Sequence, residues 1–239
     1  MCCSAISRRI RAGITSMNCS PLSRRARFPS SNSFAVPGVQ VTKRTYSAPV
    51  NEQPFFGFAA KSPEDKAADE KFVDAIVGAT GSREKAFDET TLRGWRAINT
   101  GKIKEAAVRF NQAFLILPEQ SRVYHGFAVV AQARFNDLDA ADELFRIALD
   151  RPNPVKALKA DYGRFLLVAK RPRDAQSVLE QAVKEAPDFG DAWTNLAWAR
   201  FQNGDATAAC AAAEEAAKHR PSNNSMGDLT AVRSVAQCK

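Results

Sequence analysis

Apolar positions from about residue 87 onward recur at helical spacing, and the whole pattern repeats about every 34 residues. Four equivalent positions hold a small residue: Ala106, Ala141, Ala175 and Ala209. The position four residues later is bulky in three of the four units: Phe110, Phe145 and Leu179, with Ala213 in the fourth. Turn-forming residues such as Asn203-Gly204-Asp205 divide each unit into two helices. This period predicts a helical solenoid whose units bury their apolar faces against one another.

Small residues recur in the first helix of each unit as well. Paired helices can approach closely only where one offers a small residue to the other, and these positions are Gly94, Ala128, Gly163 and Ala197. Proline ends the units at positions such as Pro118, Pro187 and Pro221. We therefore expect four helix pairs within 87–223, with boundaries at 87–120, 121–154, 156–189 and 190–223.

This combination of small residue, alanine, bulky residue, second alanine and proline resembles the tetratricopeptide repeat family. The resemblance implies an all-α, right-handed α-solenoid of about four helix pairs. A weaker similarity links Gly81–Lys85, Arg93-Gly94-Trp95 and residues 109–114 to small bacterial tetratricopeptide proteins, some of them envelope lipoproteins.

Both ends of a solenoid need covering helices. Ser62-Pro63-Glu64-Asp65 has the residues of a helix start and predicts an extra N-terminal helix over 62–80. At the other end, 224–239 carries one apolar face, formed by Leu229, Val232 and Ala236, and predicts a capping helix. The segment 51–61 is interpreted as a linker whose Phe55, Phe56 and Phe58 dock on the N-terminal helix or, alternatively, form an exposed contact.

Residues 1–50 form a basic leader that we expect to be disordered. They hold eight of the chain's 34 basic residues and none of its 26 acidic ones, so residues 51–239 balance at 26 of each. The leader resembles a mitochondrial transit peptide, with cleavage after Tyr46, which would place the protein in the matrix; a plain solvated tail is the alternative. A bacterial cytoplasmic or periplasmic location is the other possibility. No apolar run is long enough to span a membrane.

The sequence offers little reactive chemistry. The five cysteines form no C-x-x-C pair, and Cys210 is interpreted as a buried structural thiol rather than as part of a disulfide framework or a zinc site. His125 and His219 have no neighbours at metal-ligand spacing. We find no Gly-rich phosphate loop and no nucleophile beside a base, so we expect no enzyme activity, no catalytic residues, no bound metal and no cofactor.

The functional surface is expected on the concave side, where the first helices line a groove. Helical spacing assigns eight residues to partner binding: Trp95, Ile98, His125, Val129, Arg164, Leu167, Trp198 and Phe201. Trp95, Trp198 and Phe201 would be apolar anchors, and Arg164 would pair with a carboxylate of the partner.

The predicted function is therefore a protein–protein interaction module or assembly adaptor that binds a peptide or partner helix of unknown identity. The alternative is an organellar helical-repeat RNA-binding protein, which the neutral charge balance disfavours because such grooves neutralise phosphates. A competing view of the groove is that the terminal helices or the three phenylalanines of 55–58 cover its aromatic residues.

Overall fold

The computed structural model describes the backbone of residues 33–36 and the whole of residues 39–239. In this part of the chain two short strands are followed by ten α-helices. The strands are β1, Ser33–Val36, and β2, Val39–Thr42. The helices are α1 Pro63–Thr80, α2 Arg83–Asn99, α3 Ile103–Ile116, α4 Ser121–Phe135, α5 Leu138–Leu149, α6 Ala157–Val168, α7 Pro172–Glu185, α8 Gly190–Gln202, α9 Ala206–Lys218 and α10 Asn223–Val235. No described helix combines the length and apolar character that crossing a membrane requires.

Helices α2 to α9 form the predicted α-solenoid of four pairs. In two of the units the bulky residue of the second helix lies against a glycine of a first helix: a Cβ on Gly126 would lie 2.3 Å from the Phe110 ring, and one on Gly163 would lie 2.4 Å from Leu179. Gly94 also faces Phe110, at 2.9 Å. The Ala106, Ala141, Ala175 and Ala209 positions are fully buried. Close approach at small residues therefore determines how the pairs stack.

Helix α1 begins and ends with local signals. The Ser62 hydroxyl accepts the Asp65 N–H at 3.1 Å while the Asp65 carboxylate accepts the Ser62 N–H, a capping box that satisfies two helix-end donors. Gly81, at φ 86°, ends the helix in the left-handed conformation that glycine adopts without steric cost. Most of α1 is exposed, and only Val73 is buried.

The expectation of a disordered leader is wrong for its last residues. β1 and β2 pair antiparallel, with Phe34 opposite Val41, and the side chains of Val39 and Val41 are buried. The Thr42 N–H donates to Glu143 of α5 at 2.7 Å. The alternating valines give β2 one apolar face, which packs on α5 instead of remaining in solvent. The proposed transit-peptide helix and Cys2, Cys3 and Cys19 lie outside the described residues.

We call residues 39–58 the strap. The strap lies along the second helices α3 and α5. Phe55 is buried 4.6 Å from the Phe127 ring and 5.3 Å from the Phe114 ring, measured between centroids. The expected docking of the aromatic linker on the N-terminal helix is therefore wrong, because Phe55 fills a space between α3 and α4. Residues 55–58 form one left-handed turn with φ between 54° and 59°. For three phenylalanines this conformation costs about 1–2 kcal/mol each.

The interpretation of Cys210 as a free thiol is also wrong. Cys210 in α9 forms a disulfide with Cys238, which follows α10, and their Cα atoms are 5.3 Å apart. The two cysteines are 28 residues apart in sequence, and the capping helix between them folds back onto α9. The spacing rules for short cysteine motifs could not reveal a pair that only this fold brings together.

Candidate partner-binding groove

The groove is the surface lined by the first helices α2, α4, α6 and α8. The structure places the eight predicted residues differently along it. Arg164 is exposed and His125 is 1% exposed; the other six are half-buried against the core: Trp95, Ile98, Val129, Leu167, Trp198 and Phe201. Two contact groups emerge, since Trp95 packs on His125 with ring centroids 4.5 Å apart and Trp198 meets Phe201 edge-on at 6.0 Å.

The first group borders a cavity of about 290 Å³, which we call the groove pocket. Its walls are mainly apolar and come from α2, α4 and the start of α6: Asp88, Thr91, Leu92, Trp95, Arg122, His125, Val155, Ala157 and Asp161. Leu92, which lines this pocket together with Trp95, is 48% exposed. The pocket therefore presents apolar surface that no described part of the chain covers.

His125 holds one wall of the pocket in place. Its Nε2 lies 2.9 Å from Oδ2 of Asp161, and because a carboxylate can only accept, Nε2 donates this bond. The imidazole is enclosed between the rings of Trp95 and Phe145. Its Nδ1 is buried, and no described residue hydrogen-bonds to it. This arrangement orients the Asp161 carboxylate, whose side chain stays 40% exposed.

The charges of the groove pocket are unevenly compensated. The Arg122 guanidinium pairs with Asp88 and lies over the Phe87 ring, 4.6 Å from its centroid. Among the described residues Asp161 has His125 as its hydrogen-bond partner and no lysine or arginine within 4.0 Å. The pocket thus combines apolar walls with one carboxylate that lacks a permanently charged partner.

The second group is held by α10. Arg164 Nη1 lies 2.8 Å from Oδ2 of Asp228, and the Trp198 indole N–H donates to the Asp228 carbonyl oxygen at 3.1 Å. Both groove residues therefore already have partners within the chain. Asp228 lies 34 residues, one repeat length, after Thr194. It therefore occupies the groove position that corresponds to Thr194, as if α10 were the first helix of a fifth repeat.

Sequence reasoning missed three residues that matter here. Leu92 and Asp161 lie three residues before the predicted Trp95 and Arg164, so each is the neighbour of a predicted residue on the same helix face. Asp228 could have been found by extending the 34-residue register into the capping helix. In the described part of the chain no three His, Cys, Asp or Glu side chains cluster closely enough to hold a metal ion.

Several known proteins resemble this chain. The tetratricopeptide repeat profile matches residues 166–231. Pseudomonas aeruginosa PilF superposes with a TM-score of 0.55 at 23% identity, over 65% of this chain and 71% of PilF. A thermophilic tetratricopeptide protein of Thermus thermophilus gives 0.52 at 16% identity, over 71% of this chain and 98% of that one. Yeast Tom70 gives 0.50 at 19% identity, over 75% of this chain and 44% of Tom70.

No curated protein matches the sequence. The identities to these three structures are below 25%, so they establish the fold alone. The sequence match covers the later repeats, from the end of α6 into α10, and the same architecture extends back through α2. The sequence match thus identifies tetratricopeptide repeats within residues 166–231, and the likeness to the solved structures extends the same helix-pair fold to the earlier units.

Proposed function

We propose that this chain is a non-enzymatic interaction module that binds a peptide or a partner helix in its groove, chiefly through the groove pocket. Tetratricopeptide repeat proteins are in general scaffolds that bind other proteins, and the groove is the surface their first helices present. The observation that carries the proposal is the exposed Leu92 beside the half-buried Trp95, at the mouth of a cavity of about 290 Å³. Apolar surface of this kind is typical of interaction sites.

The chemistry of the groove pocket favours a particular partner. An apolar side chain would fill the cavity and remove Leu92 and Trp95 from water. A lysine or arginine next to it would pair with Asp161, and its stem would pack along the indole face. A partner segment with an apolar residue beside a basic one therefore fits the pocket better than an acidic segment.

The other predicted anchors have a secondary role in this proposal. Arg164 pairs with Asp228, so a partner carboxylate would have to replace that contact before Arg164 could bind it. Trp198 and Phe201 are half-buried and would extend the contact surface along α8. We therefore assign the first recognition step to α2, α4 and α6.

Selection from a random peptide library against the full chain tests the proposal, and the selected peptides are then titrated against variants. Leu92→Ala and Trp95→Ala should each weaken binding at least about tenfold, the size of effect that central interface residues produce. Asp161→Asn should weaken the peptides that carry a basic residue and leave the others unaffected.

Val50→Ala is the matched control, because Val50 is a comparably exposed aliphatic residue, at 54%, that lies in the strap rather than in the groove. It should leave the affinity within about twofold, as expected of a surface change outside the interface. Equal losses in Val50→Ala and Leu92→Ala would place the binding surface elsewhere. Binding of single-stranded RNA without any peptide binding would contradict the proposal and support the RNA-binding alternative.

A further inference from the structure

Helix α10 takes the place of an additional first helix at the end of the solenoid. It begins 33 residues after the start of α8, and it packs on α8 and α9 through the buried side chains of Leu229 and Val232. Its N-terminal end is fixed by the Ser222 N–H, which donates to the Asp191 carboxylate at 2.7 Å. Its position therefore depends on contacts at both of its ends and along one face.

The apolar contact that α9 can offer to α10 is small. The buried face of α9 consists of alanines alone: Ala209, Ala212, Ala213 and Ala216. Alanine buries a single methyl group, so this surface supplies much less hydrophobic stabilisation than the Phe110 or Phe145 contacts of the earlier repeats. The covalent link between Cys210 and Cys238 therefore adds a constraint where the α9 side of the contact is weak.

Movement of α10 would directly break contacts that α10 makes with groove residues. Asp228 holds Arg164 by an ion pair and Trp198 by a backbone hydrogen bond. These are two of the residues that line the C-terminal half of the groove. Displacing Asp228 would free a guanidinium and an indole N–H for a partner.

We propose that the Cys210–Cys238 disulfide is a redox-sensitive tether that holds α10 and so controls access to Arg164 and Trp198 in the groove. The control of binding rests on the proposed function, whereas the tethering of α10 does not. Cys210 and Cys238 are both partly exposed, so a dithiol reductant can reach the disulfide bond between them.

The exchange reaction balances in two steps. A thiolate of the dithiol attacks one cysteine sulfur, which breaks the Cys210–Cys238 bond, forms a mixed disulfide and releases the other cysteine as a thiolate that takes up a proton. The second thiol of the reductant then loses its proton and displaces the remaining cysteine. The protein gains two electrons and two protons, and the dithiol becomes a disulfide. A disulfide oxidant reverses both steps.

Hydrogen exchange of the full chain, with and without a dithiol reductant, tests the tether. The α10 amides should exchange at least about tenfold faster after reduction, because opening a loop of this length removes a constraint that favours the folded arrangement. The amides of α2 to α7 should keep their protection. The Cys210→Ser/Cys238→Ser variant should show the fast α10 exchange without reductant, and adding the reductant to it should change nothing further.

Two results would overturn the tether: unchanged α10 exchange after reduction, confirmed by thiol titration, or an equal acceleration in every helix. Titration of the selected peptides then separates the tether from the proposed function. Faster α10 exchange with altered peptide affinity supports control of the groove. Faster exchange with unaltered affinity removes that control, and complete absence of peptide binding in both redox states counts against the proposed function while leaving the tether intact.

Discussion

The side-chain amide of Asn111, in the middle of α3, donates to the carbonyl oxygen of Gln53 at 2.7 Å, and both residues are buried. The same amide donates to the Asn51 carbonyl at 3.0 Å, and its oxygen accepts the Phe56 N–H at 3.1 Å. One asparagine thus satisfies three backbone groups of the strap. These bonds hold the chain in the left-handed turn that delivers Phe55 into the core.

Replacing Asn111 by alanine should therefore release the strap. The loss leaves the carbonyls of Asn51 and Gln53 and the Phe56 N–H without this partner, and the Gln53 carbonyl is buried, so we expect the free energy of unfolding to fall by about 2–4 kcal/mol. Urea denaturation measures the loss, and hydrogen exchange should place it in residues 46–58. Asn99→Ala, at an exposed position near the end of α2, is the control and should change stability by less than about 0.5 kcal/mol. Undisturbed strap amides in Asn111→Ala would contradict this account.

Removing the residues up to Tyr46, as the predicted cleavage would do, should destabilise the protein. Tyr46 stacks on Phe135 at 3.8 Å between centroids, its hydroxyl donates to Asp137 at 3.0 Å, and Val39 and Val41 are buried. A chain that begins at Ser47 should lose at least about 3 kcal/mol, because two buried valines and a stacked ring go with the deleted segment. Thermal unfolding and limited proteolysis measure the change.

A chain that begins at Ser33 is the matched control for this truncation and should unfold like the full chain. Equal stability of the two shortened chains would show that residues 33–46 add nothing to the fold. Such a result would also mean that cleavage after Tyr46 leaves the helical solenoid intact.

The repeats were predictable because the same pattern of small and bulky residues recurs about every 34 residues along the sequence. Gly94, Ala128, Gly163 and Ala197 were expected at helix crossings, and glycines 94 and 163 do lie against Phe110 and Leu179. Gly126, which approaches Phe110 most closely, was missed because only one unit has glycine in that column. The strap and the disulfide were not predictable, since their contacts join residues that are far apart in sequence and occur once.

The closeness of Gly126 to Phe110 gives a sharp test of this packing. Gly126→Ala places a methyl group 2.3 Å from a buried ring, which must move, and should cost about 1–3 kcal/mol. Gly78→Ala is the opposite case, because nothing lies within 4 Å of the added Cβ in the exposed part of α1. It should stabilise the protein by about 0.5–1 kcal/mol through higher helix propensity. Denaturation of both variants checks the contrast, and a harmless Gly126→Ala would refute the tight crossing.

Two buried tyrosines should make the protein sensitive to alkali. Burial, the largest cause in both cases, raises the pKa of Tyr124 and of Tyr162 to about 12, and a hydrogen bond from the Tyr162 hydroxyl to Asp142 adds to the effect. The unfolded chain loses these protons near pH 10, whereas the folded chain keeps them. The contribution of the two tyrosines to the free energy of unfolding is therefore complete below pH 10. It falls as the pH rises toward 12, by up to about 1.4 kcal/mol per pH unit for each tyrosine.

The variant Tyr124→Phe/Tyr162→Phe isolates this effect, because phenylalanine fills nearly the same space and has no proton to lose. Its free energy of unfolding should depend less steeply on pH than that of the wild type above pH 10, while the two proteins share the same slope between pH 6 and 9. Urea denaturation across this range measures both slopes. Identical slopes above pH 10 would mean that the two hydroxyls ionise as readily in the folded protein as in the unfolded chain, which is incompatible with their burial between the helices.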